Sequence, residues 1–292
     1  MNALLQPSFR GQAGFAIRSH AFLETPLSGV AALRDAASPP AAPVLPTRFL
    51  RHADEHTVVA IRAVLAAVAA LPRPVSFDTS GVVAAPCQAG RIAAARSLAL
   101  LRTGGAVTVS AHLAPQCCLH SLAGAVSVAL GMHGPHIGVG GGPGALAEGL
   151  FAAMSLFQPG SASGCDAVWL IITEWAAEPV LDATGAAIGD PVCRALAMLL
   201  APAAIADEAR VDVSLHVHVA DSSTMPDDGK ESDLAALARA IEMCATGTAL
   251  TSWTVTSPWG IQFRVAAREP AAVPVIRRQV STPDRVLTWE AA

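Results

Sequence analysis

The stretch from Leu119 to Leu150, LHSLAGAVSVALGMHGPHIGVGGGPGALAEGL, constrains this chain more than any other. Helical spacing runs from Leu119 to Leu130 and stops at the turn from Gly131 to Pro135. Ile137–Gly140 reads as a short buried strand, and the Gly-rich bend after it leads into a helix over Gly144–Phe157. Pro143 fits the first turn of that helix, where a missing N–H costs nothing. A sharp strand-to-helix bend is where several enzyme families present a nucleophile. Here the bend is Gly141, Gly142, Pro143 and Gly144, and none of these can attack an electrophile. The pattern predicts the frame of a catalytic corner without its chemistry.

Around this stretch the sequence alternates strands with helices, which predicts a layered α/β fold. Strands are expected over Gly14–Ile17, Pro74–Val83, Ala167–Thr173, Ala195–Leu200 and Val211–Val219. Helices are expected over Ser28–Asp35, with Ser28 as N-cap, and over Ala53–Leu71, Ala89–Thr103 and Ser232–Ala245. AASPPAAPVLP, residues 36–46, is an extended loop, and Thr251–Ser257 with Ile261–Ala266 makes a hairpin. The 292 residues are 52% hydrophobic and 14% charged, enough for a large core and too apolar for a disordered chain. A net charge of −4 offers no general attraction for nucleic acid or anionic membrane. The apolar helix candidate Val58–Leu71 contains Arg62 and is too short to span a bilayer. No basic flank precedes an apolar run at the N-terminus, so a cytoplasmic protein is expected. The six cysteines are scattered and read as reduced, buried small hydrophobes.

Helix, GMHGP, strand, small-residue elbow, helix, Cys-Asp-Ala and apolar strand, in that order, resemble the N-terminal half of the β-ketoacyl-acyl carrier protein synthases. These enzymes have the thiolase fold. SAHLAPQCCLH resembles the family's Ser-Pro-x-x-x-Pro-x-x-x-x-Asn segment, with His120 in place of the Asn. LAGAVSVALGMHGP and IGVGGGPGALAEGL resemble the helix, turn, strand and nucleophile elbow that follow, and GCDAVWLIITEW the next strand. LPTRFLRHADEHTVVAIRAV resembles the basic segment and long helix that open the fold. The resemblance covers about residues 14–220. It implies a truncated thiolase-like αβα layered fold in one domain over 1–292: the ketosynthase half (14–220), a helix plus hairpin (221–270) and a tail (271–292).

Two departures set the functional expectation. Pro143 stands where condensing members present a Cys, and a proline cannot form a thioester. The second half that carries the two catalytic histidines has no counterpart in this sequence, and His216 and His218 sit on the strand that closes the first half. The resemblance therefore implies a chain not catalytic alone: a chain-length factor of the short kind associated with aryl-polyene pigment clusters. Its implied partners are an active β-ketoacyl synthase, as a heterodimer, and an acyl carrier protein, transiently, with no cofactor. The implied interface is Ile137, Gly138, Val139 and Gly140. The implied tunnel gate is His112, Leu113, Cys117 and Cys118 with Ala145 and Leu146, and Arg48 and Arg51 are candidates for carrier contact.

Other readings stay open. Gly140, Gly142 and Ala145 satisfy a loose dinucleotide-loop pattern, with Glu174 placed to hold a ribose. Cys117 or Cys118 is a candidate displaced nucleophile in an independent acyl-transferring enzyme, against the ordinary inertness of a buried thiol. His112, His120, His133 and His136 cluster with those cysteines but lack a zinc-site spacing, so no metal is expected. Arg48 and Arg51 serve equally well as caps of the helix region. Asp227, Asp228, Lys230 and Glu231 read as a solvated loop, and Trp253 and Trp259 as core or interface aromatics. A homodimeric scaffold without ligand is the remaining alternative.

Overall fold

The structure is a computed structural model that describes residues 14–111, 113, 117–157, 165–202, 211–217, 234–247, 252–256 and 261–267. Eight strands form one sheet: β1 (Gly14–Pro26), β2 (Gly81–Pro86), β3 (His136–Gly138), β4 (Val168–Trp175), β5 (Val192–Pro202), β6 (Val211–Val217), β7 (Ser252–Thr256) and β8 (Ile261–Ala267). Their order is β3-β2-β4-β5-β1-β6-β8-β7. β2 pairs parallel with β3 and β4, and all the other neighbours are antiparallel.

Helices α1 (Val30–Asp35), α2 (Glu55–Ala69), α3 (Arg91–Gly104), α4 (His120–Leu130), α5 (Ala145–Ser155) and α6 (Leu234–Thr246) cover the sheet. Strand alternation splits the core in two. Val82, Ala84, Trp169, Ile171, Ala195 and Ala197 face α2 and α4. Val83, Ala85, Leu170, Ile172, Leu196 and Met198 face α5 and α6. The result is the expected αβα layering.

α2 is buried on nearly every side. The sheet covers one flank, while α1, Leu45 and Leu50 pack against the same cluster. Asp54 is its N-cap, accepting from Thr57 N at 2.9 Å. Arg62 is tolerated inside this apolar helix because its guanidinium donates to the carbonyls of Leu33 (2.7 Å) and Arg34 (3.1 Å) at the end of α1.

Several expected boundaries move. The strand expected over Pro74–Val83 begins at Gly81 and ends at Pro86. A turn precedes it, closed by Ser80 N donating to Phe77 O at 2.9 Å, and Phe77 turns its ring onto Trp169. β1 runs far past Ile17 because its ladder with β5 continues to Pro26↔Val192. Ser28 caps no helix; its hydroxyl donates to Asp190 at 2.6 Å and ties the 176–190 loop to α1. The cysteines are less uniform than expected: Cys193 and Cys244 are buried, Cys87, Cys117 and Cys165 are half-buried, and Cys118 is exposed. The loop 221–230, the tail after 270 and Trp259 lie outside the described residues. No helix among the described residues is long and apolar enough to cross a membrane.

α5 approaches the sheet through Gly149, where an added Cβ would stand 2.6 Å from Ala85 Cβ and 3.2 Å from Leu170 Cδ1. Gly149→Ala gains up to about 1 kcal/mol of helix propensity. Overpacking against an alanine that cannot move aside costs about 1–3 kcal/mol. The variant is expected to be net destabilised, read as a lower urea midpoint at unchanged m-value.

Candidate functional site

The corner sits at the edge of the sheet. β3 ends at Gly138, and Gly140 (φ 87°) and Gly141 (φ 101°) turn the chain through conformations that side chains rarely adopt. α5 then starts at Ala145 behind its N-cap Gly144. Pro143 lies one residue outside that cap, not inside the first turn, and is exposed. A Cβ at Gly140 would lie 2.8 Å from Ala145 Cβ, and one at Gly138 would strike the Leu119 carbonyl. The corner is thus closed by contacts that only glycine permits.

Backbone bonds tie the corner to the loop after β2. Gly141 N donates to Pro86 O (2.9 Å) and Gln88 N to Gly141 O (3.3 Å). Cys87 N donates to Thr173 O (2.7 Å) on β4. Gln88 has φ 62°, a left-handed backbone unusual for its type. Between these loops lies a cleft of about 120 Å³, whose lining includes Cys87, Gln88, Pro143, Leu146, Thr173 and Glu178. Among the described residues the lining contains no histidine or lysine. Glu148 occupies the first turn of α5 and offsets the positive end of its dipole.

Behind the cleft, His56 is fully buried, with Nδ1 2.7 Å from Thr173 Oγ1. Its ring meets Trp175, a cleft residue, nearly perpendicularly at 5.3 Å between centroids. His56 Nε2 and Trp175 Nε1 have no hydrogen-bond partner among the described residues. Burial holds the imidazole below its usual pKa, with the Asp54 carboxylate pulling weakly the other way. Cys87, Gln88, His56 and Thr173 were not singled out from the sequence. The usable signal was PCQAG, a strand end followed directly by a turn into a helix.

The expected site residues separate into groups. Ala145 and Leu146 line the cleft with Pro143; Leu113, Cys117 and Cys118 do not. Cys117 packs instead on Gly90, its Sγ 3.6 Å from the Gly90 carbonyl. Burial raises the Cys117 thiol pKa, and Asp54 and Glu55 raise it further, which keeps the thiol protonated. His112 lies outside the described residues. Arg48 and Arg51 are exposed, and the cap of α2 is Asp54, so neither arginine caps that helix. Glu174 lines the cleft too, but it faces Arg194 (3.7 Å) and accepts from Leu234 N (3.3 Å), so it is engaged by α6 and β5. His120 lies against His136, with ring centroids 4.7 Å apart, and His133 pairs with Asp78 at 2.6 Å. Among the described residues no three potential metal-binding side chains converge. Trp253 packs on the α5–α6 core.

β3 has one open side. Val82 N donates to Pro135 O (2.8 Å) and Val139 N to Ala84 O (2.9 Å). By strand alternation the backbone groups of His136 and Gly138 point away from β2.

No protein-family model and no curated protein sequence matches the chain. Solved structures do. One is a chain of the complex AntDE:AntF, a type II polyketide synthase acyl-carrier protein with its ketosynthase bound to the hexaketide; the match has TM-score 0.60 and 12% identity over 88% of this chain and 100% of that one. Another is the ketosynthase ApeO in complex with its chain length factor ApeC from Xenorhabdus doucetiae; here the TM-score is 0.50 and the identity 16%, over 86% of this chain and 98% of that one. The coverages make the second pair of chains close in length. This protein therefore has the thiolase-like fold of the ketosynthases.

Keeping His56 neutral stabilises the fold above about pH 6.5, and that stability falls as acid protonates the unfolded chain first. Glu55, whose pKa is raised by burial, acts with the opposite sign toward its own range near 4.5. His56→Asn can keep the bond to Thr173 without a titrating ring. Thermal melts from pH 7.5 to 6 are expected to show a steeper loss of Tm in the wild type than in the variant. Equal slopes would mean that His56 titrates normally.

Proposed function

From a ketosynthase fold with a proline at its nucleophile corner, we propose that this chain is a non-catalytic chain-length factor that pairs with an active β-ketoacyl synthase. The observation that carries the reading is Pro143 between β3 and α5, in a cleft with no histidine or lysine among its described lining residues to act as base. The fold match to a chain of the ApeO–ApeC complex, over 98% of that chain, supports it. The open side of β3 supports it too, since Ile137–Gly140 can extend its ladder into a second sheet.

On this reading the synthase supplies the cysteine and the two histidines, and an acyl carrier protein delivers the units. This chain closes the far end of the acyl tunnel with Ala145 and Leu146, which line the cleft beside Pro143. It works as one domain in the cytoplasm and needs no cofactor. Cys117, packed on Gly90 and kept protonated, is poorly suited to serve as a displaced nucleophile.

Co-expression with the synthase is expected to yield a 1:1 complex and to change the length of the product. His136→Pro removes an outward N–H and leaves the bonds to β2 in place. It is expected to weaken the complex at least about tenfold, a loss of about 1.4 kcal/mol, with little change in Tm. Pro143→Cys is expected to give no condensation by the chain alone, because no base accompanies the new thiol. A wild-type chain that stays monomeric beside the synthase, or that transfers acyl groups unaided, would refute the proposal.

A further inference from the structure

Acidic residues are absent from one long part of this sequence. From Thr79 to Ala147 it carries Arg91, Arg96 and Arg102 and no aspartate or glutamate, although the whole chain has a net charge of −4. That stretch builds β2, α3, α4, β3 and the corner.

Within it, α3 has one buried residue, Ile92. The first half of the helix is anchored. Gly90 abuts Cys117, Gly185 packs on the backbone of Ala95 and Arg96, and Arg91 pairs with Glu178. The second half is not: Leu98 is 65% exposed, Leu101 43% and, in the turn beyond, Val107 94%. Leu98, Leu101 and Arg102 stand at i, i+3 and i+4 and share one face. Exposed leucines interspersed with arginine are the composition of an interface, not of a solvated helix. The nearby acids are few. Asp54 is buried and accepts from Thr57 N and Gly90 N, Glu178 holds Arg91, and Glu55 lies within electrostatic reach of Arg96. Arg48 and Arg51, by contrast, stand a few residues from Asp54 and Glu55 in a charge-balanced segment.

We propose that the outer half of α3, with Leu98, Leu101 and Arg102 at its centre, docks an acidic protein surface carrying a shallow apolar groove. The identity of that partner as the acyl carrier protein rests on the function proposed above; the chemistry of the surface does not. Arginine steers the approach through the long-range field, and the leucines hold the docked state.

The test uses the full chain, alone and with the synthase, against an acidic apo acyl carrier protein that lacks its phosphopantetheine arm, so that only protein surfaces are read. Arg102→Glu and Leu98→Ser change exposed positions. Each is expected to weaken carrier binding about tenfold at low salt, and the Arg102→Glu loss is expected to shrink toward 0.5 M salt. Arg51→Glu is expected to change binding less, and the 1:1 synthase complex is expected to persist in all three. Carrier binding unchanged by both α3 variants overturns the proposal. So does loss of the synthase complex in those variants, which assigns α3 to the heterodimer. Binding to phosphatidylglycerol vesicles that the α3 variants abolish while carrier binding stays intact also overturns it. A wild-type chain that ignores the synthase yet binds the carrier through α3 refutes only the function proposed above.

Discussion

The fold depends on how closely backbone can approach backbone at the corner between β3 and α5. Gly138 lies on the Leu119 carbonyl, Gly140 on Ala145, and Gly149 on Ala85. Each contact removes the space for a side chain and brings a helix or turn about one methyl group nearer the sheet. This approach is what allows short hydrogen bonds to join the corner to the loop after β2. Larger residues at these positions would push α5 off the sheet and open the α5–α6 core.

That corner was legible in the sequence because glycine and proline act locally. IGVGGGPGALAEGL fixes a strand, a bend and a helix with little help from the rest of the chain. β4 was equally legible, its apolar run VWLIIT being buried on both faces. β2 was not, because GVVAAP has weak strand propensity and is a strand only through its two parallel neighbours. The far half of β1 was hidden for a related reason: its polar residues are tolerated by a ladder made far along the chain. The gate residues and the cleft residues could not be sorted from sequence at all. Cys117 and Leu146 flank the same helix–strand–bend motif in sequence, yet one packs on Gly90 and the other lines the cleft.

Electrostatics and packing agree about the character of the cleft. Among the described residues its thiol, Cys87, shares it with two glutamates, the α5 dipole is offset by Glu148, and the imidazole behind it is held neutral. Those carboxylates disfavour a growing negative charge. What the region does possess is shape: rigid turns, small residues and a buried helix start.

The brevity of β3 has a consequence of its own. With three residues it can offer a neighbouring strand only a few backbone hydrogen bonds, each worth about 1 kcal/mol net. So small a rung count cannot by itself hold two proteins together at cellular concentrations. Any strand partner it took would therefore have to be selected by the side chains that flank it, while the same shortness denies wandering peptides a foothold for fibril-like growth.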